Sequence, residues 1–172
     1  NKYLNPFTHD PRLHQLFNTI VSLLILLFLF LSLKIKFKEV NIYHLVFFSL
    51  IIILSPYFRS TAFWGNEENF GILVVAISSY FYLTYFERNS VFYEWIYLFA
   101  LGIFSSLTVY CDQKLIIIPF FTYLSILFSK KSDKNKLFIT FLYIVASIPF
   151  IFLIKLWGNI VPTGDASRRV IK

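Results

Sequence analysis

The sequence predicts an all-α fold, a polytopic bundle of about six transmembrane helices, and three observations carry that expectation. First, 58% of the 172 residues are hydrophobic and 21% aromatic, while only 15% are charged. A soluble domain of this size would be left covered in exposed apolar surface. Second, crossing roughly 30 Å of hydrocarbon takes about 20 mostly apolar residues, and six stretches approach that length: 16–33, 40–57, 70–86, 95–111, 115–128 and 137–156. Third, Lys and Arg stand in short clusters between these stretches.

The first three spans separate cleanly. Lys34, Lys36 and Lys38 close the first, the segment from Ser55 to Gly71 divides the second from the third, and Arg88 follows the third. The fourth and fifth need an argument, because Tyr93 to Phe128 read as one helix would be about 54 Å long, too long for a bilayer. Asp112, Gln113 and Lys114 lie at its centre. Charges are costly in hydrocarbon, so a tight interfacial turn is expected there. Pro119 then falls early in the fifth span, where its missing donor is tolerated. The sixth ends near Trp157, Gly158 and Pro162, which break the helix.

Charge sets the orientation. The net charge is +7, but clustered cations between apolar runs read as topology signals with no nucleic-acid footprint. Lys34, Lys36, Lys38, Arg88, Lys130, Lys131, Lys134 and Lys136 fall in three alternate connections, against Arg59 and Lys114 in the other two. The basic set is expected to face the cytoplasm and both termini to point outward, although Lys2, Arg12, Arg168, Arg169 and Lys172 run against that rule. A lone Cys111 gives no internal disulfide framework and no cysteine-rich metal site. The chain opens on Asn1 and stops after Arg168-Arg169-Val170-Ile171-Lys172, and reads as part of one transmembrane domain whose N- and C-terminal parts lie elsewhere. No repeat, low-complexity tract or linker divides residues 1–172.

Polar and aromatic residues that topology leaves unexplained gather in the outer segments. Between the second and third spans, Arg59, Glu67 and Glu68 accompany Tyr57, Phe58, Phe63 and Trp64. The aromatics suit an interface belt, and the two acids either start a helix or hold a sugar hydroxyl, a divalent cation or a basic partner. At the next outer turn, Asp112, Gln113 and Lys114 are ordinary interfacial residues or project into a cavity. After the sixth span, Asp165, Arg168 and Arg169 sit beside Gly158 and Gly164; paired guanidinium groups suit a phosphate or pyrophosphate. His9, His14 and His44 lack metal-ligand spacing, and His44, within an apolar span, is expected to face the bundle. Asp10, Arg12 and His14 form a polar approach to the first span. No Gly-rich phosphate loop, nucleophile elbow or His-Glu-Xaa-Xaa-His is present.

Taken together these segments resemble the C-type, multi-spanning glycosyltransferase superfamily, and within it the dolichyl-phosphate-glucose-dependent alpha-1,2-glucosyltransferases. Pro56, Tyr57, Phe58, Phe63, Trp64, Glu68 and Gly71 are similar to that family's proline, aromatic pair, Thr-Glu and glycine. Gln113 matches the glutamine of an Arg-Gln pair, with Asp112 in place of the arginine. Gly158, Ile160, Val161, Gly164, Asp165 and Ser167 resemble a final Gly-Ile-Val-x-Gly-Asp-x-Ser loop, with Asn159 inserted. Trp157, Gly158 and Pro162 also resemble a Trp-Gly-Gly-like loop of bacterial members.

The resemblance implies inverting hexose transfer from a polyprenyl (dolichyl) phosphate sugar to a lipid-linked or other glycan acceptor on the non-cytoplasmic face, without a nucleotide sugar. It implies no cofactor, although a divalent cation would fit, and its partners are the donor, the acceptor and the lipid bilayer. The membrane would be the endoplasmic reticulum in a eukaryote or the inner membrane in a bacterium. The catalytic acid is expected in a first outer loop upstream of these residues. Glu67, Glu68, Asp112 and Asp165 would then hold or support substrate, while Lys114, Arg168 and Arg169 neutralise the departing lipid phosphate. The competing reading is a transporter or flippase of lipid-linked sugars, whose usual marks, inverted repeats and paired broken helices, are not evident in the sequence. A structural membrane subunit would leave the outer acids and arginines without a role.

Overall fold

The computed structural model describes residues 10–64, 67–87 and 93–157, and all of its regular structure is helical. Helix α1 runs Pro11–Lys36, α2 Ile42–Leu50, α3 Pro56–Trp64, α4 Glu67–Glu87, α5 Glu94–Cys111, α6 Ile117–Leu127 and α7 Asp133–Trp157. A 3-10 turn, Ile51–Leu54, extends the end of α2, and another, Gln113–Ile116, leads into α6.

Local chemistry explains where these helices start. Asp10 caps α1, its Oδ1 accepting from the N–H groups of Arg12 at 2.9 Å and Leu13 at 3.3 Å, and Pro11 occupies the first helical position. Lys34 and Lys36 stand in the last turn, where cations complement the helix dipole. The segment between the second and third spans contains a helix of its own. Pro56 opens α3 and Ser55 Oγ accepts from the Phe58 N–H at 3.4 Å, the same cap-then-proline start as in α1.

Four helices, α1, α4, α5 and α7, are long and apolar enough to cross a bilayer. The second and fifth apolar segments are shorter. Nine α-helical and four 3-10 residues make up Ile42–Leu54, a rise of about 22 Å; four and eleven make up Gln113–Leu127, about 25 Å.

Helix α4 lies between α1 and α5, α7 packs on the other side of α5, α2 and α3 lie against α1, and α6 sits beside α5 and α7. Lipid is as apolar as a leucine side chain, so attraction between helices comes from close approach and internal hydrogen bonds. The buried face of α1 is accordingly Asn18, Val21, Ser22, Ile25 and Ser32, at helical spacing, and that of α5 includes Gly102, Ser105, Ser106 and Thr108. Hydroxyls in these faces return to their own helices: Ser22 donates to Asn18 O at 2.8 Å, Ser106 to Gly102 O at 2.7 Å and Thr84 to Tyr80 O at 2.7 Å. Two apolar clusters fill the remaining space. Ile25, Phe58 and Ala76 join α1, α3 and α4, and Tyr85, Leu98, Leu101, Ile126 and Ile139 join α4 to α7.

Gly102 sets the α5–α7 distance. A Cβ built there would lie 2.7 Å from Leu142 Cδ1 and 3.0 Å from Ile139 Cδ1. Gly102→Leu should therefore push the two helices apart and cost about 1–3 kcal/mol, read as a lower thermal unfolding midpoint in detergent. Ile103→Val, on the lipid-facing side of α5, should leave that midpoint nearly unchanged.

Candidate functional site

The site is built around the turn between α5 and α6. Helix α5 stops at Cys111 because Asp112 is extended, with φ −151° and ψ 122°. Its Oδ1 then accepts from the Lys114 N–H at 3.0 Å and its carbonyl from the Leu115 N–H at 2.9 Å, starting the 3-10 turn. The Thr108 hydroxyl reaches the carbonyls of Ser105 at 2.6 Å and Leu115 at 3.3 Å, pinning the turn to α5. Residues 93–128 thus form the hairpin expected from the charged residues at their centre.

Gly71 brings the start of α4 against this turn. A Cβ on Gly71 would lie 3.1 Å from Leu115 Cδ1 and 3.6 Å from Cys111 Cβ. Glu68, in the first turn of α4, therefore shares one end of the bundle with Asp112, Gln113 and Lys114. Glu68 and Lys114 are exposed, Asp112 and Gln113 half-buried. Arg59 lies exposed on α3, which packs on α1 and α4. Glu67 opens α4, but its side chain lies outside the described residues, as do Asp165, Arg168 and Arg169 in full. Asp112 is accounted for first as a cap, and among the described residues Lys114, Gln113, Arg59 and Glu68 are polar groups of this rim whose side chains no cap uses. Among the described residues no group of three or more His, Cys, Asp or Glu side chains is placed to hold a metal ion.

Beside the turn an apolar groove of about 270 Å³ opens between α5, α6 and α7, lined by residues that include Tyr110, Ile116, Pro119, Phe120, Tyr143 and Phe150. Tyr110 and Ile116 flank the polar turn in sequence, so the groove begins where Asp112, Gln113 and Lys114 stand. Its polar atoms are satisfied from within. Tyr143 and Ser105 share a hydrogen bond of 2.8 Å, and Tyr110 donates to the carbonyl of Ala146. That carbonyl adjoins the carbonyl of Val145, whose helical donor Pro149 lacks.

Sequence reasoning missed two polar clusters inside the bundle. Between α1 and α4, Asn69 Nδ2 donates to Ser22 Oγ at 3.2 Å, and Asn18 and Asn69 are both fully buried. The signal was available, since an amide within an apolar run needs a partner on a neighbouring helix. At the other end of the bundle, Lys131 pairs with Glu94 at 3.0 Å. Asn135 Nδ2 donates to Glu94 Oε1 at 3.0 Å and to Tyr85 OH at 3.1 Å, and the Lys131 ammonium stands 4.8 Å from the centre of the Tyr85 ring. Lys36 and Lys38 reach Glu87 there, at 3.2 and 3.6 Å. His44 corrects an expectation: α2 begins only at Ile42, so His44 falls in its first turn and is exposed instead of facing the bundle.

The two ends can be told apart by labelling. In a Cys111→Ser background, single cysteines replacing Glu68 and Lys114 should react with an impermeant maleimide from one face of sealed vesicles. A cysteine replacing Lys130 should react only from the other. The geometry stands without a homologous template: comparison with known protein families, characterised proteins and solved structures finds no match to this chain.

Proposed function

We propose that this chain is part of a membrane glycosyltransferase that moves a hexose from a polyprenyl-phosphate sugar to a lipid-linked or other glycan acceptor at the non-cytoplasmic face. One observation carries the reading: the polar turn Asp112-Gln113-Lys114 stands at the mouth of an apolar groove, beside the start of α4. A lipid-phosphate sugar has the same division, with a long apolar tail, one phosphate and a hydroxylated head. Its tail would lie in the groove, its phosphate by Lys114, and its sugar toward Gln113, Glu68 and Arg59. The resemblance in Pro56, Phe58, Glu68, Gly71 and Gln113 points the same way.

In the reaction the acceptor hydroxyl loses its proton to a carboxylate and its oxygen forms a bond to the anomeric carbon. The bond from that carbon to the phosphate oxygen breaks, with inversion. Negative charge grows on the lipid phosphate as it leaves, and a cation placed at that oxygen favours the transition state over the ground state. Lys114 is the described residue suited to that task, and Arg168 and Arg169 would add to it. Asp112 holds the turn that presents Lys114, while Glu68 and Gln113 bind sugar hydroxyls.

A second reading, a transporter or flippase of lipid-linked sugars, gains support from the paired short segments. Each of the two short apolar segments, the second and the fifth, carries a 3-10 turn at one end, and a pair of unusually short segments accompanies substrate sites in transporters.

The readings separate in one assay. Full-length protein in detergent, given polyprenyl-phosphate hexose and a glycan acceptor, should transfer the sugar. Lys114→Gln should lower kcat/KM for the donor on the order of tenfold to a hundredfold, and Arg168→Ala with Arg169→Ala should weaken donor use further. No transfer with any hexose donor, together with movement of a fluorescent lipid-linked sugar across reconstituted vesicles, would replace the enzyme by the transporter.

A further inference from the structure

The end of the bundle away from the candidate site carries a charge imbalance. Four lysines lie on the α6–α7 connection and the first turn of α7. Lys131 is committed to Glu94 and Lys136 to Asp133 at 3.3 Å, whereas Lys130 and Lys134 form no ion pair among the described residues. Two acids therefore offset two of the four cations, and two positive charges are left over. Lys130 and Lys134 are both exposed.

Lys134 is also the head of a groove of about 600 Å³ on the outer side of α7, lined by Trp95, Leu137, Phe138, Phe141 and Ile144. Leu137, Phe141 and Ile144 repeat at helical spacing and are exposed at 75%, 61% and 59%, so they form a ridge along which an apolar chain can lie. Trp95 packs edge-on against Phe138, ring centres 5.0 Å apart, at the same end as Lys134. Indole at that level is the usual mark of the membrane interface. The groove thus has an apolar floor, an aromatic shoulder and an unneutralised cation at its head.

We propose that this groove binds one anionic phospholipid. Its phosphate headgroup lies against Lys134 and Lys130, and one acyl chain lies along Leu137, Phe141 and Ile144. Charge complementarity selects the occupant: a zwitterionic lipid fills the apolar floor equally well but leaves the two lysines without net compensation. Two uncompensated basic residues beside an anionic headgroup favour anionic over zwitterionic lipid by a factor on the order of tenfold. The site is distinct from the turn at Asp112 and does not depend on what the protein catalyses.

Native mass spectrometry of the full-length protein in mixed micelles, with phosphatidylglycerol and phosphatidylcholine at equal amounts, tests this directly. Wild type should retain phosphatidylglycerol on the order of tenfold over phosphatidylcholine. Lys130→Gln with Lys134→Gln should bring the ratio near unity, Lys134→Arg should keep it, and Lys155→Gln near the far end of α7 should not move it. Quenching of Trp95 by brominated phosphatidylglycerol, in protein with Trp64 and Trp157 replaced by Phe, supplies a second readout that should weaken in the double variant. Equal retention of both lipids by wild type, or an unchanged preference in the folded double variant, overturns the proposal.

Discussion

Everything in this fold answers to a solvent that accepts no hydrogen bonds. In hydrocarbon each unpaired donor or acceptor costs several kcal/mol, so the chain must satisfy its polar groups from within. Helices do this for the backbone, and the hydroxyls of Ser22, Thr84 and Ser106 do it for themselves by bonding back one turn. Where the backbone is broken, a side chain fills in: Asp112 caps the turn after α5. The same solvent gives no apolar reward for bringing helices together. Contact is won by near approach, which is why glycine stands where α4 meets the turn and where α5 meets α7.

The two ends of the bundle are solved differently. At the basic end, carboxylates, amides and tyrosine tie α1 to α4 and α4 to α5 and α7 through Glu87, Glu94, Tyr85 and Asn135. Exposed pairs such as Lys36 with Glu87 contribute little, whereas the half-buried Glu94, held by Lys131 and Asn135 together, gives a fixed geometry. At the rim Asp112 caps a turn, and Arg59 and Lys114 form no ion pair among the described residues. One end is braced by ion pairs and amide bonds, while the polar side chains of the other are largely uncommitted among the described residues.

Much of this was legible in the sequence because it follows from length and charge alone. The four long helices, the alternation of basic connections and the hairpin at Asp112 depend only on hydrocarbon thickness and the cost of burying charge. What was not legible depends on partners distant in sequence. Nothing near Asn69 announces Ser22, and nothing near Glu94 announces Asn135. Helix α3 was hidden for another reason: its nine residues are too short to show periodicity, and only Ser55-Pro56 signals a start. The Asp112 turn could be placed from sequence, but its neighbour across the bundle rests on the approach of Gly71, a contact between positions 44 residues apart.

The short second and fifth segments carry a consequence for the lipid itself. Apolar stretches of about 22 and 25 Å cannot match roughly 30 Å of hydrocarbon, and a bilayer meets such a deficit by thinning locally. Their 3-10 turns lead to α3 on one side and adjoin the Asp112 turn on the other. Acyl chains would therefore dip around this rim, drawing interfacial water downward into a shallow basin beside the groove. Asp112, Gln113 and Lys114 would then meet water at a depth that the longer helices around them keep dry.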